Sequence, residues 1–354
     1  MRRIEKRKEE HIDICLNENV RADHNYWDDV NLIHKAVPEI NKSKISLETK
    51  IFGKTLSAPI IIAAMSGGHS KGCLLNENCA KAAAELGVGF SVGSQRAFLE
   101  NKRTAKTYGD IKEYDIPLVF ANIGASQIIN QKGKPALTIE EIHKAVEMID
   151  ADILTIHLNY PQEMVQPEGD ENSEGLLKAV ENLSGSFQII AKECSFGISK
   201  EVAEKLKAAG VKGIETSGVS GTSWTAVEYY RAKSAGNKIK QRIGKTFWNW
   251  GIPAPISILE AKETGIPLIG SGGIKNGLDA ARAIALGTEA VSMAGHLLPY
   301  AVKGSKALVN ELEFISEELK TAMFLTGSRN VPDLKKARLV LTGKTKEWLD
   351  SGKD

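Results

Sequence analysis

Between residues 59 and 293 the chain repeats one unit eight times: a short apolar run, then a stretch with helical periodicity. The runs span 59–64, 88–92, 117–122, 152–158, 188–192, 213–216, 267–270 and 290–293. They are rich in Ile and Val and not polar on alternate positions, the pattern of parallel strands covered on both faces. Helical patterns at 76–86, 139–149, 174–182, 200–209, 255–264 and 276–286 lie between them. Eight such units in about 240 residues match the size of a (β/α)8 TIM barrel. A doubly wound open sheet is the rival, but it usually has about five or six strands.

The 354 residues therefore divide into an arm, 1–55, and one barrel domain, 56–354, with closing helices expected at 302–325 and 331–346. A stretch at 234–253 reads as a long loop, Gly- and Lys-rich and then aromatic. Loops of that length are commonly lids or disordered surface. A net charge of +2 gives no global field for nucleic acid or a membrane surface, and no run of about 18 apolar residues predicts a span. Four scattered cysteines without a Cys-x-x-Cys pair fit a reducing cytoplasm better than a disulfide or structural zinc framework.

Barrel enzymes work at the C-terminal ends of their strands, so those ends are the candidate site. Here they read Met65-Ser66-Gly67-Gly68, Ser94-Gln95-Arg96, Asn122, His157-Leu158-Asn159, Lys192, Ser217 with Thr222, Gly272-Gly273-Ile274, and Ala294-Gly295. Glycine turns after two consecutive strands, near helix starts, offer backbone N–H donors to a phosphate, or are plain turns. Lys192, buried at a strand end, needs an anionic or carbonyl partner. A flavin ring, a Schiff-base substrate or a structural carboxylate would each serve. Met65 covers such a ring or fills core. Trp224 and Trp248 belong to the core or wall off an apolar substrate tail.

The segment 157–170 gathers imidazole, amides, carboxylates and prolines into one loop, as a pocket for a small polar substrate and a divalent cation requires. His157 is a satisfied barrel histidine or a contact to the bound molecules. Glu163 is the candidate ligand for Mg²⁺, which takes only one or two carboxylates. Glu168 and Asp170 are expected to hold the loop through turns. Arg7, Lys8 and His11 read as a solvated helix face or as an arm bringing cations to a diphosphate, with Arg96 joining them.

Taken together, Arg7-Lys8-x-x-His11, Met65-Ser66-Gly67-Gly68, Gly93-Ser94-Gln95-Arg96, Ala121-Asn122-Ile123-Gly124, the 157–170 run, Lys192-Glu193, Gly221-Thr222-Ser223-Trp224, Trp250-Gly251-Ile252-Pro253 and Gly272-Gly273-Ile274 resemble the type 2 isopentenyl diphosphate isomerases. The motifs span nearly the whole chain in family order. Departures are Ser66 for the usual Thr, Cys194-Ser195 after Lys192-Glu193, the segment 215–220, and Lys275 for a frequent Arg.

The resemblance implies an enzyme that reversibly converts isopentenyl diphosphate to dimethylallyl diphosphate. It implies reduced FMN as the acid/base cofactor, Mg²⁺, NADPH as reductant, and a homotetramer or homo-octamer. FMN contacts are expected from Met65, Ser66, Gly67, Ser94, Asn122, Lys192, Ser217, Thr222, Gly272, Gly273, Ile274, Ala294 and Gly295. Substrate contacts are expected from Arg7, Lys8, His11, Ser94, Gln95, Arg96 and Gln162, and chemistry from His157, Asn159 and Gln162. The alternatives are an FMN oxidoreductase of the 2-hydroxyacid oxidase type and a non-catalytic flavin-binding sensor.

Overall fold

The computed structural model describes residues 2–69 and 71–352. All eight predicted strands are present and close into one parallel barrel. They are β1 (Ile60–Ile62), β2 (Gly89–Ser91), β3 (Val119–Gly124), β4 (Ile153–Leu158), β5 (Ile189–Glu193), β6 (Gly213–Glu215), β7 (Leu268–Gly270) and β8 (Ala290–Met293). Closure comes from β8 against β1, with Ser292 opposite Ile61. The six predicted helices form between strands, within a few residues of their expected bounds.

The interior of the barrel is less uniform than the sequence suggests. Its lower half is apolar: Ile61, Phe120, Ile153, Ile190, Ile269 and Ala290 pack together. A hairpin, Thr49–Ile51 with Lys54–Leu56, plugs that end. Its two-residue turn puts Phe52 and Gly53 at positive φ (50° and 80°), the conformation a tight hairpin demands. Phe52 meets Phe120 edge-on at 6.3 Å. In the upper half, the inward positions two residues further along the strands are polar, among them Ser91, Thr155, Lys192, Glu215 and Ser292. The expectation of strands without alternating polarity therefore fails above the middle of the barrel.

The arm is not a loose extension. Helix α1 (Arg2–Asn17) lies across the C-terminal mouth, and the chain that follows is stitched to the strand 6 and 7 loops. Ser223 N donates to Val20 O, and Trp27 Nε1 donates to Gly272 O at 2.7 Å. The strand Val30–Leu32 pairs antiparallel with Leu339–Leu341, so the second expected closing helix is instead a short turn of helix, a strand and the helix Gly343–Ser351.

The stretch 234–253 is neither a lid nor disordered. It contains α3 (Lys238–Thr246), packed along α2 (Trp224–Ser234). Gly244, read as a loop signal, is a packing residue: a Cβ there would come within 2.9 Å of Tyr229 Cβ and Thr225 O. Among the described residues, no helix is long and apolar enough to cross a membrane.

Candidate active site

One cavity of about 480 Å³ opens at the barrel mouth beneath α1, within the usual range for a ligand site. Its floor carries Ala63, Asn122, Lys192 and Ser271, and its rim is drawn from every strand end and from α1. Of the residues expected from sequence to contact flavin, substrate or metal, all but two line it.

Gln95 and Gly67 are the exceptions. Gln95 is fully buried behind the wall: its Nε2 donates to Ala145 O at 2.6 Å and its Oε1 accepts from Asn122 N at 2.9 Å. Both halves of the amide are committed to fixing β3 and the following helix, so a substrate contact is excluded. Gln95→Leu should cost stability by about 2–4 kcal/mol, since a buried carbonyl and N–H lose their partner. KM should stay within about twofold, and urea unfolding beside steady-state kinetics checks both. Gly67 faces away from the cavity, under Tyr108; a Cβ there would lie 2.3 Å from the Tyr108 ring. It makes room for the tyrosine, whose hydroxyl donates to Ser94 O at 2.7 Å.

The glycine turns also have a different cause from the one expected. Gly272 and Gly273 sit at φ +85° and +87°, and added Cβ atoms would strike the backbone of residues 217–221 within 2.6–2.8 Å. Loop-on-loop packing, rather than ligand approach, requires glycine there. The turn still presents its backbone to the cavity beside Ile274, Ala294, Gly295 and Thr222.

Three cations converge near Ser94. Lys8 is buried, its Nζ donating to Ser94 O at 2.8 Å and lying 5.8 Å from the centre of the Tyr108 ring. Among the described residues no carboxylate forms an ion pair with it. Burial, then the charges of Arg7 and Arg96, push its pKa down to about 7. The Arg7 guanidinium reaches Glu168 at 3.8 Å, yet its buried Nε has no partner among the described residues. Arg96 holds Asp170 and Glu100, each at 2.8 Å. The reading of this helix face as merely solvated is thereby set aside. Glu168 and Asp170 do not act through turns; they anchor cations, Glu168 with Arg231 and Asp170 with Lys134 as well.

Across the cavity, His157 Nδ1 lies 2.7 Å from Asn122 Oδ1, while Asn122 Nδ2 donates to Val92 O at 3.0 Å. The amide oxygen must accept, so Nδ1 carries the proton and Nε2 the lone pair. Burial first, then Lys192, Lys8 and Arg96, depress the His157 pKa to about 3, leaving a neutral imidazole. Asn122 thus spends both polar atoms on orienting His157.

Asn159 Nδ2 donates to Gln162 Oε1 (3.1 Å) and Glu163 Oε1 (3.0 Å). Glu163 Oε2 also accepts from Gln166 Nε2 and Asp170 N. Despite burial, which raises its pKa, the Glu163 carboxyl is fixed in one orientation at the cavity wall. A single oriented carboxylate suits Mg²⁺, which keeps most of its waters.

Sequence reading missed three acidic or basic partners. Buried Glu215 pairs with the part-buried Lys192; against the cost of burial, that carboxylate holds the lysine pKa above its ordinary value. Glu228, fully buried on α2, accepts from His11 at 2.8 Å, Gln162 at 3.0 Å and Arg231 at 2.7 Å. Burial works against ionisation, but His11 and Arg231 hold its pKa at about 2. The spacing of four from Trp224 to Glu228, one helical turn past a rim motif, was the available signal. Trp224 lines the cavity and meets His11 edge-on, whereas Trp248 packs outside it against Tyr229 and Tyr230.

The mouth also fits a flavin. Lys192 can donate beyond its carboxylate partner, the 272–274 turn offers backbone, Met65 supplies an apolar face, and the buried Ser271 and Ser292 hydroxyls have no partner among the described residues. The FMN-dependent dehydrogenase family profile matches residues 2–107 and 198–341. The isopentenyl-diphosphate delta-isomerase of Thermoplasma volcanium is 49% identical over 98% of this chain and 99% of its own. The chain belongs to that isomerase family. The isopentenyl-diphosphate delta-isomerase of Pyrococcus furiosus is 42% identical, covering 97% of this chain and 88% of its own. Among solved structures, a lactate oxidase of Pediococcus acidilactici superposes with a TM-score of 0.62 at 17% identity, covering 90% of this chain and 84% of that one. A mandelate oxidase gives 0.61 at 18%, covering 90% of each. These two likenesses concern the fold alone. This chain thus shares its barrel fold with those two oxidases.

Proposed function

We propose that the protein reversibly converts isopentenyl diphosphate to dimethylallyl diphosphate, with reduced FMN in the barrel mouth and Mg²⁺ beside Glu163. The observation that carries this reading is the cation cluster: buried Lys8, which among the described residues has no carboxylate partner, Arg7, whose Nε is likewise unpartnered among them, and Arg96 beside them. Such a cluster is costly unless an anion of several charges completes it. The relatives' name supplies the anion that fits.

In this reading Arg7, Lys8 and Arg96 hold the diphosphate, with His11 and Ser94 closing that end and Glu163 holding the metal that shares its charge. The five-carbon tail is then fixed between the neutral His157 and the amides of Asn159 and Gln162, under the cover of α1 and Trp224. Orientation and exclusion of water are the protein's share of the rate. When bound, the reduced flavin supplies the proton donor and acceptor that an unactivated alkene needs, and no net electrons move. Lys192, held by Glu215, would contact the flavin from the cavity floor and would favour negative charge on it. His157, neutral above about pH 4, serves as a hydrogen-bonding wall rather than as a general acid.

NADPH as reductant, a cytoplasmic location and a homotetramer or homo-octamer complete the proposal. Glu163→Gln tests the metal role. The variant should need at least tenfold more Mg²⁺ for half-maximal activity in an anaerobic assay with isopentenyl diphosphate, FMN and NADPH. An unchanged Mg²⁺ requirement would remove Glu163 from the metal site.

A further inference from the structure

Parallel barrels fill their bore with layers of four side chains from alternate strands, mostly branched aliphatics. Strand register here builds one such layer from β2, β4, β6 and β8: Ser91, Thr155, Glu215 and Ser292. It lies directly above the Ile61, Phe120, Ile190, Ile269 layer. The inward direction follows from alternation. Ile153 belongs to the bore, while Leu154 and Ile156 belong to the helix-packed outer core, so Thr155 faces in. The same argument places Ser292 two residues after Ala290, and Glu215 between outward Ile214 and the β6 loop.

Ser91, Thr155 and Ser292 are each almost fully buried (3%, 1% and 3% exposed), and their hydroxyls have no hydrogen-bond partner among the described residues. Ser271, one layer higher, adds a fourth. Four unpartnered hydroxyls around one ion pair are far from chance, because buried polar groups are nearly always satisfied. Small side chains occupy a layer that is usually bulky, which leaves room. Glu215 in this layer and Lys192 in the one above offer charged partners on the same bore.

We infer that this layer is a binding site for a cluster of ordered waters, sealed below by the isoleucine–phenylalanine layer and continuous above with the active-site floor through Ser271 and Ser292. Water is the ligand that matches the donor set: each hydroxyl both donates and accepts, and a site with two to four polar partners per molecule holds water well. The cluster solvates the inner side of the Lys192–Glu215 pair. The site stands on barrel geometry and does not depend on the reaction proposed above.

Thr155→Val gives a test of opposite signs, read on the protein without added cofactor. In a dry bore the change removes an unsatisfied hydroxyl and raises Tm. In a hydrated bore it strips a hydrogen bond from bound water, and Tm falls by roughly 2–4 °C. Ser91→Ala and Ser292→Ala read the same sign should the valine variant fold poorly. A high-resolution crystal structure of the wild type settles the same point independently. Ordered waters within hydrogen-bond distance of Ser91, Thr155 and Ser292 are expected. A raised Tm together with no density in the bore would overturn the inference.

Discussion

Lys8→Met raises the KM for isopentenyl diphosphate by roughly 10- to 150-fold, the loss expected when a charge-assisted hydrogen bond of about 1.5–3 kcal/mol is removed. The ammonium sits in the cavity with a carbonyl and a tyrosine face as its contacts, so an incoming diphosphate is its missing counter-charge. Burial and two neighbouring guanidinium groups hold its pKa at about 7. A bound diphosphate favours the charged form and raises that pKa. Binding therefore takes up a proton above pH 7, and KM climbs as pH rises from about 7 toward 9. Lys8→Met should lose that climb along with the affinity. Steady-state kinetics at several pH values checks both. A wild-type KM flat across this range would detach the buried lysine from the diphosphate.

The second large effect is on the Lys192–Glu215 pair. Glu215 is buried in the bore and the Lys192 side chain is only 11% exposed, so removing one leaves the other as an unpaired, largely desolvated charge. Lys192→Met should lower the unfolding free energy by about 3–5 kcal/mol, the usual cost of breaking a buried pair from one side. Lys192→Met with Glu215→Gln removes both charges and should recover most of that loss. Flavin affinity should not recover, because Lys192 also lines the cavity. Urea unfolding of the apoprotein and fluorescence titration with FMN separate the two outcomes. Full recovery of FMN affinity in the double variant would make Lys192 a purely structural residue.

The barrel was legible because each strand is a short Ile- and Val-rich run ended by glycine or a polar residue, and each helix has clear periodicity. What stayed hidden depended on contacts distant in sequence. Glu215 pairs across strands and Glu228 across 217 positions to His11. Nothing local marks Glu215 as a partner, and only the one-turn spacing from Trp224 hints at Glu228. Gln95 was misplaced because rim position alone does not tell which way a side chain turns; its amide satisfies β3 instead. Gly67 and Gly244 look like turn signals, yet each makes room for a tyrosine. The polar layer in the bore was masked because Ser91, Thr155 and Ser292 are single small residues inside runs read as uniformly apolar. The α1 cations were legible as a motif, but only the fold shows that they face inward.

The central claim is that the protein moves a carbon–carbon double bond by holding a diphosphate under a reduced flavin. The most direct measurement incubates the protein anaerobically with isopentenyl diphosphate, Mg²⁺ and dithionite-reduced FMN and follows the two isomers. The account predicts that they equilibrate, and that oxidised FMN or omission of flavin stops it. Isomers left unequilibrated with reduced flavin bound, or equilibration undiminished in flavin-free protein, would contradict it.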